Sequence, residues 1–226
     1  CEVILETKEH SKDLADLDDS NFLELMKLYK QRYMELGEDE DINYVFIFRN
    51  KGEIIGVSLH HPHGQLYAFP FIPPIALRKL DVASRYLART GRCLYCELVK
   101  READGPRLVA KDRNFISYVP FAARFAYETT ILPVNHRLSL SEMDDDELKS
   151  LGRMLKLVLT KYNKLFDFSL PYIMCLYNAP TDGRPYPHHH FHIEVMPRHR
   201  SRDQIKYLAG SELGAGVFIN DGPPEE

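Results

Sequence analysis

The sequence predicts an α+β fold in which one structural unit occurs twice in tandem, each copy having an antiparallel sheet with flanking helices. The main evidence is an internal repeat that begins at His10 and again at His136. Counted from each histidine, apolar residues fall at positions +4 and +7, and two aspartates fall at +8 and +9. Aspartates suit the start of a helix, because they accept hydrogen bonds from its free N–H groups. These pairs are Leu14 and Leu140, Leu17 and Met143, Asp18 and Asp144, and Asp19 and Asp145.

The elements of the two copies follow in the same order. After the aspartates, apolar residues at spacings of three and four predict a helix, which Gly37 closes in the first copy. Two strands follow, the second of them rich in histidine. A proline-rich turn and a further helix join the copies, and we expect the units to be residues 1–82 and 83–226. The predicted helices are 22–36, 75–90 and 148–162, and the predicted strands are 44–48, 54–58, 172–177 and 190–196.

The composition limits the classes of protein that need to be considered. The chain has 226 residues, 44% of them hydrophobic, and a net charge of −4. This content can form a core, which excludes a disordered tail, and the charge argues against a protein that binds nucleic acid regardless of sequence. There is no apolar run long enough to span a membrane and no export signal, so we expect a cytoplasmic protein. Because it lacks an initiator Met, we expect the chain to begin partway into a longer protein.

The segment from His60 to Gln65, which reads HHPHGQ, contains the densest group of chemically active side chains in the first copy. On an extended strand His61, His63 and Gln65 share one face. A neutral imidazole can attack phosphorus and form an adduct that is labile enough to pass on. Gln65 and the backbone near Gly64 can supply hydrogen-bond donors for the charge that develops. We therefore interpret this strand as one edge of a catalytic site.

A close cysteine pair, Cys93 and Cys96, predicts a metal site in the second copy. Tetrahedral zinc prefers Cys and His ligands, and His136 and His190 complete such a set, although His188 or His189 could replace His190. A redox role for the C-x-x-C pair lacks the βαβ context that it needs. The repeat gives the first copy a matching half-site at His10 and His61, and the other two ligands are expected upstream of residue 1. The remaining cysteines, Cys1 and Cys175, are interpreted as small buried side chains.

Four motifs carry a resemblance to a known family. The pattern N-K-G-x-x-x-G-x-S runs from Asn50 to Ser58 and precedes H-P-H-G-Q, L-P-x-x-H ends at His136, and K-Y-L-A-G-S-E-L-G-A-G begins at Lys206. In this order the motifs resemble the galactose-1-phosphate uridylyltransferase family, the transferase branch of the histidine-triad superfamily. The resemblance covers essentially the whole chain and lacks only the family's N-terminal portion. It implies two tandem histidine-triad-like units.

The resemblance also implies a reaction. In that family the histidine at the position of His63 attacks the α-phosphorus of UDP-glucose, and the uridylyl-histidine then gives UMP to galactose 1-phosphate. Gln65 would bind the transferring phosphate, and the family forms homodimers with active sites at the interface. The other implied substrate contacts are Asn50, Gly56 and Ser58 for the nucleotide phosphates, and Lys206, Tyr207 and Glu212 for the hexose phosphate.

The residues and the resemblance together imply the metal content. Two zinc sites are expected, one of them incomplete in this chain, and both are expected to be structural. Some members carry an additional iron site made of one Glu and three His. The aligned positions hold Lys79, Tyr177, His192 and Glu194 here, so no iron is expected. Because Glu194 stands where the first copy has Gln65, the second histidine strand is expected to be scaffolding.

Three other activities share parts of this pattern. An ADP-glucose phosphorylase would use the same histidine with phosphate as the acceptor, but Pro62 and the A-G-S-E-L-G stretch favour the transferase. A histidine-triad hydrolase does not explain the duplication, and a binding module without turnover does not explain His63 and Gln65. The choice between uridine and adenine, and the identity of the sugar, stay open. The expected partners are UDP-glucose, UDP-galactose and hexose 1-phosphates, without nucleic acid or membrane.

Overall fold

A computed structural model describes residues 1–220 and 222–225 of the chain. Eight antiparallel strands form one sheet, in the order β1-β3-β2-β7-β8-β6-β5-β4, and β9 and β10 form a small hairpin. The α+β prediction with an antiparallel sheet and flanking helices is confirmed. The elements are β1 (Glu2–Leu5), α1 (Asp19–Gly37), β2 (Tyr44–Lys51), β3 (His63–Phe69), α2 (Pro74–Thr90), α3 (Leu94–Glu102), β4 (Leu108–Lys111), β5 (Phe115–Tyr118), β6 (Thr129–Pro133), α4 (Asp145–Leu165), β7 (Tyr172–Tyr177), β8 (His192–Pro197), β9 (His199–Ser201), β10 (Gln204–Ile205) and α5 (Gly210–Gly214).

The repeated aspartates begin the two long helices. The side chain of Asp18 accepts a hydrogen bond from the backbone N–H of Asn21, and that of Asp144 accepts one from Glu147. Each carboxylate thereby caps a donor that would otherwise lack a partner in the first turn. α1 and α4 then pack against each other and against one face of the sheet, where they enclose the main core.

The two copies meet at the centre of the sheet, where β2 pairs with β7. Phe48 lies opposite Cys175 across this junction. Within its own unit Phe48 pairs with Gln65, and Cys175 pairs with Glu194. Gln65 and Glu194 each stand two residues after the second histidine of a His-x-His pair, so Phe48 and Cys175 are themselves repeat equivalents. An approximate twofold axis therefore passes between Phe48 and Cys175 and relates the two units.

The face of the sheet opposite α1 and α4 differs between the two units. In the second unit α2 lies across it, with Ala76, Leu80 and Ala83 buried and Tyr177 among its neighbours. In the first unit this outer face keeps exposed apolar side chains. The fold thus covers one histidine strand and leaves the other more accessible.

Two expectations from the sequence are wrong. Residues 54–58 form no strand, because a short 3₁₀ turn at Glu53–Ile55 lies between Gly52 and Gly56, whose φ angles of 102° and 87° are incompatible with an extended run. Cys1 is exposed at the start of the chain, whereas Cys175 is buried as expected. In the part of the chain described, no helix has the length and apolar character needed to cross a membrane.

Gly152 allows α1 and α4 to approach closely. A Cβ atom on this residue would lie 2.8 Å from the Cβ atom of Phe22, which is close to the backbone and cannot move aside easily. We expect Gly152→Ala to lower the free energy of unfolding by about 1–3 kcal/mol, although alanine favours a helix. Urea denaturation would measure this. Gly214→Ala in α5, where a Cβ atom meets nothing within 4 Å, is the control and should cost less than about 0.5 kcal/mol. Equal effects at both positions would contradict the packing argument.

Candidate active site and metal cluster

His63 is the first residue of β3 and is half-buried at the edge of a cleft. Its Nδ1–H donates to the backbone carbonyl of His61 at 2.8 Å. Because a carbonyl oxygen only accepts, this bond places the ring proton on Nδ1 and the lone pair of the neutral ring on Nε2. His192 in the second unit has the same arrangement, with its Nδ1 2.9 Å from the carbonyl of His190. The repeat therefore preserves the histidine tautomer as well as the residue type.

The cleft beside His63 has a volume of about 230 Å³. Its walls come from the loop after His10, the end of β2 around Asn50, and the segment that leads into β3. Continuing the β2–β3 register by two residues from Phe48 and Gln65 places Asn50 opposite His63. Gly56 and Ser58 are exposed on the neighbouring loop, in the same part of the molecule.

Gln65 follows His63 on the same face of β3. Its cross-strand neighbours are Val3 on one side and Phe48 on the other, and Leu5 lies opposite His63. Val3 and Leu5 are both about 60% exposed, which is high for aliphatic residues within a sheet. The polar pair is therefore flanked by an accessible apolar surface.

Gly64 lies between these two residues and points the other way. A Cβ atom there would lie 2.3 Å from the hydroxyl oxygen of Tyr29. That hydroxyl donates to the buried carboxylate of Glu6 at 2.7 Å. Only glycine leaves room for this hydrogen bond directly behind the strand, which explains the residue type in the His-Pro-His-Gly-Gln motif.

The two metal-binding histidines that the sequence predicts in the first unit lie together. The Nδ1 atoms of His10 and His61 are 3.1 Å apart. The Nε2–H of His61 donates to the carbonyl of Thr7 at 2.8 Å, which leaves its Nδ1 lone pair directed at His10. The structure thus presents two imidazole nitrogens in a geometry that could hold one ion.

In the second unit the four predicted ligands form one cluster. The ligand atoms of Cys93, Cys96, His136 and His190 all lie within 4.8 Å of one another. The Sγ atom of Cys96 is 3.4 Å from Nδ1 of His136 and 3.6 Å from Nδ1 of His190. A tetrahedral ion with bonds of about 2.3 Å to sulfur and about 2.0–2.1 Å to nitrogen requires a sulfur–nitrogen edge of about 3.6 Å. The donor set and the spacing therefore fit a metal ion.

Protonation and hydrogen bonding also suit this cluster to a cation. The Nε2–H of His190 donates to the carbonyl of Pro133 at 3.0 Å, so that Nδ1 faces the cysteines. Burial lowers the pKa of His190 to about 4 and, together with the neighbouring Cys93, raises the pKa of Cys96 to about 12. A bound cation would stabilise the thiolates that the metal-free site disfavours. His188 and His189 lie outside the cluster, so His190 is the histidine that the structure places there.

The positions aligned with an iron site in other family members contain an ammonium group. Lys79 on α2 donates to Nε2 of His192 at 3.0 Å and forms an ion pair with Glu194, and it lies 4.2 Å from the centre of the Tyr177 ring. Arg124 binds the other carboxylate oxygen of Glu194 at 2.6 Å. Although burial opposes ionisation, Lys79 and Arg124 hold the pKa of Glu194 well below its usual range. Nε2 of His192, the atom equivalent to Nε2 of His63, thus accepts a hydrogen bond from Lys79.

The three residues of the C-terminal motif do not reach the cleft beside His63. Lys206 is buried, donates to the carbonyl of Arg124 at 2.7 Å and pairs with Glu212 at 3.0 Å. Tyr207 is exposed, and none of the three lines the cleft. Within this chain Lys206 and Glu212 fasten the C-terminal segment to the second unit, and their predicted contact with a hexose phosphate stays a prediction.

A largely buried ionic cluster at the wall of the cleft has no clear signal in the sequence. Arg49 near the end of β2 binds Glu6 and Asp13, and Lys51 also binds Asp13. These residues are separated by up to 45 positions and follow no common motif. The sequence offers one hint. Alternation along β2 assigns Arg49 to the face that points into the core, where a charged residue is unusual.

Lys79 should stabilise the second unit. We expect Lys79→Met to lower the free energy of unfolding by about 1–3 kcal/mol, because Glu194 keeps only one of its two cations and His192 loses its donor. Guanidinium denaturation would measure the loss. Arg78→Met, at the exposed neighbour on α2, is the control and should change stability by less than about 0.5 kcal/mol. A Lys79 variant as stable as the control would show that the ammonium is dispensable.

Two family models match the chain. Residues 1–73 match the N-terminal domain of galactose-1-phosphate uridyl transferase, and residues 79–216 match the C-terminal domain. The boundary between the two matches falls at the turn before α2 and in its first residues.

Similar proteins and structures agree with these matches. Galactose-1-phosphate uridylyltransferase from Thermotoga maritima is 37% identical over the whole chain, and ADP-glucose phosphorylase from Arabidopsis thaliana is 30% identical. The chain spans 71% and 62% of these two proteins, respectively. A solved uridylyltransferase superposes over 99% of the chain and 70% of its own, with a TM-score of 0.93 and 35% identity. An Arabidopsis ADP-glucose phosphorylase with bound ADP-glucose gives a TM-score of 0.90 over the same fractions, at 30% identity. The chain therefore belongs to the galactose-1-phosphate uridyl transferase family.

Proposed function

We propose that this protein transfers UMP from UDP-glucose to galactose 1-phosphate through a covalent intermediate on His63. The observation that carries the proposal is the hydrogen bond from Nδ1 of His63 to the carbonyl of His61, which leaves the lone pair of Nε2 available. His192, which has the same tautomer, has its Nε2 atom occupied by Lys79. Of the two repeated histidines, the one in the first unit is therefore suited to nucleophilic attack.

The reaction requires two displacements at the same phosphorus atom. In the first, Nε2 of His63 attacks the α-phosphorus, the bond to the bridging oxygen breaks, and glucose 1-phosphate leaves. The imidazole becomes positively charged as the bond forms, and the carbonyl of His61 stabilises this charge through the Nδ1–H group. In the second displacement a phosphate oxygen of galactose 1-phosphate attacks the same phosphorus. The P–N bond breaks, UDP-galactose leaves, and the neutral ring returns.

Residues around His63 provide polar groups for the phosphates of the substrate and an apolar surface for its nucleobase. The amide of Gln65 lies on the same face of β3 and can donate to the phosphate oxygens of the transferring group. Asn50 comes opposite His63 when the β2–β3 register is continued by two residues beyond Phe48 and Gln65. Gly56 and Ser58 on the exposed loop are proposed contacts of the nucleotide phosphates. The exposed Val3 and Leu5 flank the polar residues and offer an apolar surface on which a nucleobase could stack.

ADP-glucose phosphorylase activity is the second candidate. The Arabidopsis relative of that name matches the whole chain, and the same histidine would transfer AMP to inorganic phosphate. The higher identity to the Thermotoga maritima transferase and the proline at position 62 favour the transferase. A binding module without turnover would leave the lone pair on Nε2 of His63 unused.

We also propose that the metal in the second unit is zinc, bound by Cys93, Cys96, His136 and His190. The two thiols, two imidazoles and tetrahedral spacing support this choice. His10 and His61 would supply two of the four ligands of a second zinc site. Both ions would be structural, holding loops between strands. The homodimer and the cytoplasmic location remain predictions.

Labelling tests the covalent intermediate. We expect the full-length protein, incubated with UDP-glucose labelled in the α-phosphate, to take up acid-labile label on His63, and we expect His63→Ala to take up none. Mass spectrometry of the peptide would locate the adduct. His188→Ala, which changes a histidine outside both sites, is the control and should be labelled as the wild type is. A labelled His63→Ala protein would refute the proposed nucleophile, and label from ADP-glucose in place of UDP-glucose would favour the phosphorylase.

Zinc analysis tests the metal cluster. We expect Cys96→Ser to lose one zinc ion per chain and to melt at a lower temperature, because one ligand of a closed structural site is gone. Elemental analysis and thermal unfolding would measure both effects. Cys1→Ser removes an exposed cysteine outside the cluster and should keep the zinc content and the melting temperature of the wild type. Unchanged zinc in the Cys96 variant would exclude this residue as a ligand.

A further inference from the structure

Four charged side chains are brought together at one wall of the cleft in the first unit, and three of the residues, Asp13, Arg49 and Lys51, line it. Nε of Arg49 lies 2.6 Å from the carboxylate of Glu6, and its Nη2 atom lies 2.5 Å from Oδ1 of Asp13. Lys51 forms an ion pair with the other oxygen of Asp13. The side chains of Arg49 and Glu6 are buried, so their ion pair is shielded from solvent.

Asp13 connects three parts of the candidate site. It lies three residues after His10, where its carboxylate accepts a hydrogen bond from the N–H of Leu14 at 2.8 Å and begins the 3₁₀ turn. The same carboxylate binds Arg49 and Lys51, the two neighbours of Asn50 in β2. Alternate side chains on a strand point to opposite faces, so these two cations point away from the face that bears Asn50. Asp13 thereby holds the backbone on both sides of Asn50, opposite His63.

The second unit shows that the fold does not need these charges. Counting from the histidines and from the strand pairing, Ser139, Leu176 and Asn178 correspond to Asp13, Arg49 and Lys51. The equivalent 3₁₀ turn still forms, and there the amide oxygen of Asn178 accepts from the N–H of Leu140 at 3.0 Å. Neutral side chains therefore support the same turn and the same strand. The charged version occurs in the copy whose histidine has a free Nε2 atom.

We propose that Asp13 is a positioning residue for nucleotidyl transfer by His63. It fixes Asn50 and the adjoining wall of the cleft through Arg49 and Lys51, without touching the reacting atoms. This inference rests on the function proposed above. Because a small displacement of a positioning group strongly lowers the rate of a reaction in an organised site, the effect of Asp13 should appear in the rate constant.

The test is Asp13→Asn in the full-length protein, which keeps an acceptor for Leu14 and removes the charge. At saturating labelled UDP-glucose, we expect the rate constant for label formation on His63 to fall at least about tenfold, with the final amount of label unchanged. A purely structural role would reduce the amount of label in proportion to the unfolded fraction and leave the rate constant unchanged. Asp13→Glu restores the charge and should recover part of the rate.

The control is Ser139→Ala, at the equivalent position of the second unit, and it should label at the wild-type rate. A wild-type rate constant in Asp13→Asn would overturn the proposal. If that variant does not fold, Asp13→Glu decides, because its longer side chain should still shift the wall and slow labelling, and a wild-type rate constant there overturns the proposal as well. A wild-type protein that takes up no label at all would refute the proposed function itself, which separates the two failures.

Discussion

The pairing of β2 with β7 is the constraint on which the arrangement of both sites depends. It joins the strands of the two units into one sheet, and one of its pairs, Phe48 and Cys175, lies on the approximate twofold axis. Each member of that pair is bonded on its other side to the strand that carries a His-x-His motif. The position of each histidine strand relative to the other is therefore set by backbone hydrogen bonds, which a change of side chain does not easily disturb.

On this shared backbone the two copies differ in their side chains. In both copies a backbone carbonyl fixes the tautomer of the second histidine of the motif. In the second copy α2 brings Lys79 onto Nε2 of His192, and Glu194 replaces the amide of Gln65. In the first copy the ionic cluster lies at one wall of the cleft that His63 borders, and no charged side chain of the cluster contacts His63 among the described residues. In the second copy the buried charged group of Lys79 thus contacts the histidine itself. In the first copy the charged groups contact the strand that forms the wall of the cleft beside the histidine.

Much of this could be predicted from the sequence, because the relevant signals are local or repeated. The repeat predicts where the two long helices begin, and the C-x-x-C pair with two repeated histidines predicts four residues that the structure brings together in a cluster able to hold a metal ion. The strand expected at 54–58 failed because Gly52 and Gly56 adopt positive φ angles, which alternation of apolar residues does not reveal. Lys206 and Glu212 matched a family motif, yet they are buried and paired with each other. The Asp13–Arg49 contact joins residues 36 positions apart, and neither residue belongs to a recognised pattern.

The location of the buried charges also explains why the catalytic unit tolerates them. Burying an ion pair costs about as much desolvation energy as the attraction returns, so such a cluster adds little net stability compared with apolar side chains. The second unit avoids this desolvation energy at the equivalent positions, where Leu176 and Asn178 stand in place of Arg49 and Lys51. What the charged version adds is directionality, since a carboxylate that binds two cations restricts their positions more narrowly than van der Waals contact does. A strand that has to hold Asn50 opposite a nucleophile benefits from that restriction, whereas a strand that only supports the core does not.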